Sequence, residues 1–219
     1  MKNKNTSIVF LDDRLIFPSV EHARADGLLA VGGDLSSERL ILAYTSGIFP
    51  WFNEDNLILW WSPDPRMVLF PEKIKISKSM RKILTKGSFR FTKDTAFERV
   101  IDSCATAPRK EQEGTWITKE MLQAYIGLFN KGVAHSYEVW EGEELVGGLY
   151  GVDLGHVFCG ESMFSKKSNA SKFAFIKMVE ELKEKGYQLI DCQLHTEHLE
   201  SLGAELISRA EYLQILEKE

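Results

Sequence analysis

Asp191 and Gln193 stand two residues apart where an apolar run, Tyr187 to Ile190, gives out. If that run is a buried strand, the spacing sends both side chains to one face and Cys192 to the other, packed face. A carboxylate beside a carboxamide can hold and orient a reacting group. The same pair at a strand end is also ordinary turn or capping chemistry, and both readings stand at this point. Other reactive residue types are less suggestive. Cys104, Cys159 and Cys192 are odd in number and form no CxxC pair, so neither a disulfide framework nor a thiolate metal site is indicated. Cys159, like Cys192, is expected on a packed face. His195 and His198 are three apart, but no third ligand is evident, and surface positions on a helix are the simpler expectation. Glu161 adjoins Ser162 without a histidine placed to complete a triad. No metal and no cofactor is expected.

A second group of residues could meet a nucleic acid. Trp51, Trp60 and Trp61 fall within eleven residues flanked by Pro50, Pro63 and Pro65. Trp60 and Trp61 read as core, whereas Trp51, beside Pro50, is the better platform for stacking a base. From Lys73 to Lys93 the chain carries eight basic residues and no acidic one, although its net charge is −5. That balance argues against coating nucleic acid and leaves two readings of the island: a local anion-binding face, or a solvated helix face.

These residues need elements to position them. The 219 residues, 44% hydrophobic and 27% charged, suit a globular protein with a sizeable core. No apolar run is long enough to span a bilayer, and the N-terminus lacks the apolar segment of a signal peptide, so the cytosol is the expected compartment. Ile8 to Phe10 reads as a short strand and Glu21 to Ala25 as a short helix. Gly27 to Asp34 is turn material without a phosphate-loop spacing. Ser37 to Thr45 reads as a helix capped by Asp34 or Ser36, and the tryptophan stretch as irregular. A small N-terminal α/β subdomain over residues 1–64 is expected to end in the Pro63–Pro65 linker, with a main domain over 65–219.

In that main domain, strands are expected at Met67–Phe70 and Phe89–Thr92. Helices are expected at Ser77–Thr85, Thr95–Ala105 and Lys119–Lys131, the last capped by Thr118, with a loop from Ala107 to Gly114. From Ala134 the period becomes two: Ser136–Trp140 and Leu145–Val152 form a hairpin, and His156–Met163 is a third strand. A helix over Ala170–Glu184 follows, capped by Ser168 or Asn169, then the strand ending in Asp191 and a short helix. Three antiparallel strands, a helix and a further strand give the core order of an α+β, acetyltransferase-like (GNAT-type) fold. Acyl-CoA enzymes of that fold hold pyrophosphate with a glycine-rich loop before the helix. Here that segment is Ser165-Lys-Lys-Ser-Asn-Ala-Ser-Lys172, without glycine, so another acyl donor is wanted.

Nine ordered landmarks resemble one family, the bacterial leucyl/phenylalanyl-tRNA–protein transferases, from Phe17 to about Leu213. They are the segments 27–36, 47–52, 59–66, 114–117, 138–140, 144–148, 158–165, 169–172 and 189–193. The resemblance implies transfer of leucine or phenylalanine, and less readily methionine, from Leu-tRNA or Phe-tRNA to proteins beginning with arginine or lysine, which marks them for degradation. It implies that Trp51 and Trp116 hold the terminal adenosine, and that Leu149, Phe158 and Met163 shape the aminoacyl pocket. It places Glu161 in the polar network around the ester and makes Asp191 and Gln193 the catalytic pair. Leu149 stands where another member has methionine. The acceptor stem then becomes a partner for the basic helix, with Lys78, Arg81, Lys82 and Lys86 as contacts. No membrane partner and a monomer are expected. A CoA-dependent N-acetyltransferase and a non-catalytic tRNA-binding module are the rival functions.

Overall fold

The computed structural model describes residues 8–53, 56–107 and 117–218. It opens with β1 (Val9–Leu11), β2 (Leu28–Gly32), helix α1 (Ser37–Thr45), β3 (Phe49–Pro50) and β4 (Leu59–Trp61), the strands ordered β1-β2-β4-β3. Ser36, rather than Asp34, caps α1, its hydroxyl accepting from the Arg39 amide. In place of a helix over 21–25 there is one 3-10 turn, Val20–His22. The glycine-rich stretch expected to turn instead contains β2, because Leu28 to Val31 are all buried. The aromatic stretch expected to be irregular supplies β3 and β4. Trp60 is buried there, its indole N–H donating to the Gly32 carbonyl at 2.8 Å.

The main sheet follows. In chain order its parts are β5 (Arg66–Leu69), α2 (Lys78–Lys86), β6 (Arg90–Lys93), α3 (Phe97–Thr106), α4 (Lys119–Asn130), β7 (Ala134–Glu141) and β8 (Glu144–Asp153). β9 (Val157–Ser165), α5 (Ala170–Glu184), β10 (Leu189–Gln193), α6 (Glu197–Ser201), β11 (Glu205–Ile207) and α7 (Arg209–Leu216) complete it. The seven strands lie in the order β11-β5-β10-β9-β8-β7-β6. All neighbours are antiparallel except β9 and β10, which the crossover helix α5 makes parallel. This is the α+β order expected for an acetyltransferase-like fold.

Alternation along the strands divides the core between the two faces of this sheet. One face packs Val146, Phe158 and Ile190 beneath α5 through Phe173, Ile176 and Val179. On the other, Val68, Tyr150, Val157 and Cys159 join α3, α4 and the N-terminal sheet in one buried cluster that also contains Leu40, Tyr44 and Trp60. The N-terminal unit is therefore packed against the main sheet, which brings β3 to the ends of β9 and β10.

Candidate active site

β9 and β10 pair from Leu189↔Val157 to Asp191↔Cys159 and no further. β9 runs on to Ser165, whereas β10 ends at Gln193, so the two parallel strands part just past Asp191. Both are irregular at that point. Against β8, Gly160 and Ser162 face Gly151 and Tyr150, leaving Glu161 as the extra residue. Against β5, Asp191 and Gln193 face Val68 and Met67, leaving Cys192 as the extra residue. A one-residue bulge breaks the alternation and re-aims the side chains around it. Gly151 is needed here, because a Cβ on it would lie 2.3 Å from the Cys159 carbonyl oxygen.

Asp191 is fully buried and carries four hydrogen bonds. Its Oδ1 accepts from Arg66 Nε at 2.8 Å and from the Gln193 amide at 3.0 Å. Its Oδ2 accepts from Arg66 Nη2 at 2.7 Å and from the Tyr212 hydroxyl at 3.0 Å. Arg66 spends its remaining reach on the Gly47 carbonyl at 3.2 Å and lies between the rings of Phe49 and Tyr212. The adjacent carboxylate drives the Arg66 pKa upward against the opposing effect of burial, so the guanidinium stays charged. Gly47 has φ +73° beneath this cluster, and a Cβ would sit 2.7 Å from Leu213 Cδ2. Only glycine combines that backbone with that clearance.

Gln193 sits at φ +57°, in the left-handed region that a glutamine rarely adopts. The turn is closed by Leu194 N–H donating to the Cys192 carbonyl at 2.7 Å, while Asp191 holds the Gln193 N–H. Its side-chain Nε2 donates to Glu161 Oε1 at 3.2 Å across the gap between the strands. Glu161 Oε2 accepts from the Tyr125 hydroxyl at 2.8 Å, and Tyr125 in turn contacts the Tyr44 hydroxyl. Burial pushes both phenols well above their ordinary pKa, so they remain donors. Burial also raises Glu161 to about 7, with the Tyr125 and Tyr44 hydroxyls opposing that shift.

A cavity of about 420 Å³ opens at the parted strands. Trp51, Leu149, Glu161, Met163 and Gln193 line it, with Leu149 and Met163 paired directly across β8 and β9. Phe158 does not line it; it is fully buried, with its ring edge-on to Tyr137. Cys192, expected on the packed face, is buried but lines the cavity, because the bulge displaces it from strict alternation. Burial holds the Cys159 and Cys192 thiols far above their usual range, which keeps both protonated. His195 is exposed and paired with Glu200, whereas His198 is half-buried at the cavity wall. Burial lowers the His198 pKa. Trp116 and the loop from 108 to 114 lie outside the described residues.

The sequence profile of the leucyl/phenylalanyl-tRNA protein transferase family matches residues 68–217, and that of its N-terminal domain matches 33–64. This chain belongs to that family. The leucyl/phenylalanyl-tRNA–protein transferase of Flavobacterium johnsoniae is 58% identical over 207 residues, covering 94% of this chain and 98% of that protein. That of Christiangramia forsetii is 57% identical over 209 residues, covering 94% and 99%. Among solved structures, a GCN5-related N-acetyltransferase-like protein from Streptococcus suis 89/1591 matches at TM-score 0.39 and 11% identity. It covers 74% of this chain and 60% of its own.

In this transferase the basic island divides by neighbours. Lys73 pairs with Glu205 and Lys93 with Glu181. On α2, Lys78, Arg81, Lys82 and Lys86 are exposed, and among the described residues no carboxylate pairs with them. Arg66, Tyr212, Tyr125 and Tyr44 escaped sequence reasoning as parts of the site. Arg66 closes the Pro-Asp-Pro-Arg landmark, a signal that was present. Tyr44 and Tyr125 occupy inward helix positions and look like any core aromatic.

Proposed function

We propose that this aminoacyltransferase moves leucine or phenylalanine, and less readily methionine, from charged tRNA to the α-amine of proteins beginning with arginine or lysine, marking them for degradation. The observation that carries the reading is Gln193, held in a left-handed turn at the parted strands and facing a cavity lined largely by apolar side chains. The donor is an ester, already activated toward an amine. The new C–N bond forms as the bond from the carbonyl carbon to the ribose oxygen breaks, and one proton passes in net from the amine to the departing hydroxyl. An α-amine ordinarily titrates near pH 7.7–8, so roughly a tenth to a third of the acceptor is already neutral at pH 7 to 7.4.

Roles follow from the surroundings. Leu149 and Met163 take the aminoacyl side chain, and Trp51, with Trp116, takes the terminal adenosine. Gln193 aims the amine: its amide oxygen is too weak a base to remove a proton, yet it accepts a hydrogen bond and so directs the lone pair. Asp191, with four donors around it, holds the turn that presents Gln193. Lys78, Arg81, Lys82 and Lys86 meet the acceptor stem, and the protein works as a monomer in the cytosol. The test supplies radiolabelled Leu-tRNA with a peptide beginning in arginine, or with its N-acetylated form, and no CoA. Label is expected on the free peptide alone. Binding without transfer indicates a tRNA-binding module, and modification of the peptide only with acetyl-CoA indicates an acetyltransferase.

A further inference from the structure

We propose that Glu161, anchored by Tyr125 and Tyr44, is a positioning residue that fixes which end of the Gln193 amide meets the acceptor amine. This rests on the transfer reaction just described.

The geometry is a one-way chain of donors. A glutamine amide has one donating and one accepting end, whereas an ionised carboxylate only accepts. Gln193 therefore turns its NH₂ toward Glu161 Oε1, and its oxygen is left for the other side. On Oε2 the Tyr125 hydroxyl spends its single proton. In the contact between the two phenols Tyr44 must then be the donor, since Tyr125 has none left to give. Both phenols stay protonated because they are buried, so the chain cannot reverse by ionising. β9 contributes Glu161 to this chain only because it is the residue its bulge pushes out of register.

Protonating Glu161 changes the arrangement. With Oε2 occupied, the new proton falls on Oε1 and opposes the Gln193 NH₂, donor against donor. The amide turns over to offer its oxygen, and the NH₂ then faces the acceptor amine, where it cannot direct a lone pair. The charged neighbours across the strands are Asp191 and Arg66, which pair with each other; burial keeps the Cys159 thiol neutral and favours the neutral form of the His198 imidazole at the cavity wall. Burial raises Glu161 to about 7, and the two tyrosine hydroxyls pull it down, so this turnover falls near neutral pH.

The pH profile of transfer tests the proposal. If both the acceptor amine and Glu161 must be deprotonated, log kcat/KM in the wild type rises with pH at a slope of about two below neutrality. Glu161→Gln, which cannot ionise, should reduce the slope to about one. Tyr125→Phe removes a donor that lowers the Glu161 pKa and frees Oε2 to take the proton, so the Glu161 limb should move to higher pH or disappear while the amine limb stays in place. Tyr125→Phe deletes a single hydroxyl and carries the test if Glu161→Gln fails to fold. A wild-type slope of about one, an unchanged slope in Glu161→Gln, or an unmoved limb in Tyr125→Phe overturns the proposal. Failure of the wild type to transfer at any pH overturns the reaction itself, which is a different result.

Discussion

Asp191 and Gln193 are neighbours in sequence with opposite surroundings. The carboxylate is fully buried in a bidentate pair with Arg66, and the carboxamide turns into a cavity. Removing one member of a buried pair leaves the other charge uncompensated, a loss of about 3–5 kcal/mol. Arg66→Met should therefore lower the urea midpoint sharply. Arg66→Met with Asp191→Leu should recover much of that stability while transfer stays abolished, because the Gln193 N–H has lost its anchor. Full stability in Arg66→Met, or active double variants, would contradict this assignment. The polar pair was legible in the sequence, since polarity at the end of an apolar run is a local signal. Its partner was not: Arg66 lies 125 residues away and meets Asp191 only through β5–β10 pairing. Period-two reasoning also misplaced Cys192, because no feature of Asp191-Cys192-Gln193 announces a bulge.

At the scale of elements, α2 presents four cations from one short helix, with Ser77 capping its start and Gly87, in the left-handed conformation, its end. Its apolar side sits against α5 through Met80, so the charged side is free to meet a phosphate backbone. Lys78→Ala with Lys82→Ala should weaken Leu-tRNA binding and reduce the slope of log K against log salt by about 1–2. An unchanged slope in a binding titration would remove α2 from the tRNA interface. Helices with a cap and a 3.6-residue pattern, such as α1 and α4, were readable to within a residue or two. β2, β3 and β4 were not, because a strand buried on both faces lacks alternation and prolines obscure short edge pairings. α7 has little apolar periodicity, yet it delivers Tyr212 to Asp191.

For the molecule as a whole, the site exists because two sheets meet. Gly47 and Phe49 from the first unit close over Arg66, and Trp51 lines the cavity that β8, β9 and β10 open. We propose that the units divide at 64/65, within the Pro63–Pro65 stretch; one buried cluster contains residues from both sides of it. The order β7-β8-β9-β10 was readable because its hairpins and crossover are local in sequence, whereas the places of β5, β6 and β11 depend on pairings distant in sequence. The seam was not, because it joins residues from both ends of the chain. The central claim is that Gln193 aims an amine at an aminoacyl ester without acting as its base. It is tested most directly by single-turnover transfer of leucine from bound Leu-tRNA to an arginine-initiated peptide, in wild type, Gln193→Ala and Gln193→Glu. The account predicts transfer in the wild type and a severe loss in both variants with Leu-tRNA binding retained. Faster transfer by Gln193→Glu, a true base, or wild-type rates in Gln193→Ala would contradict it.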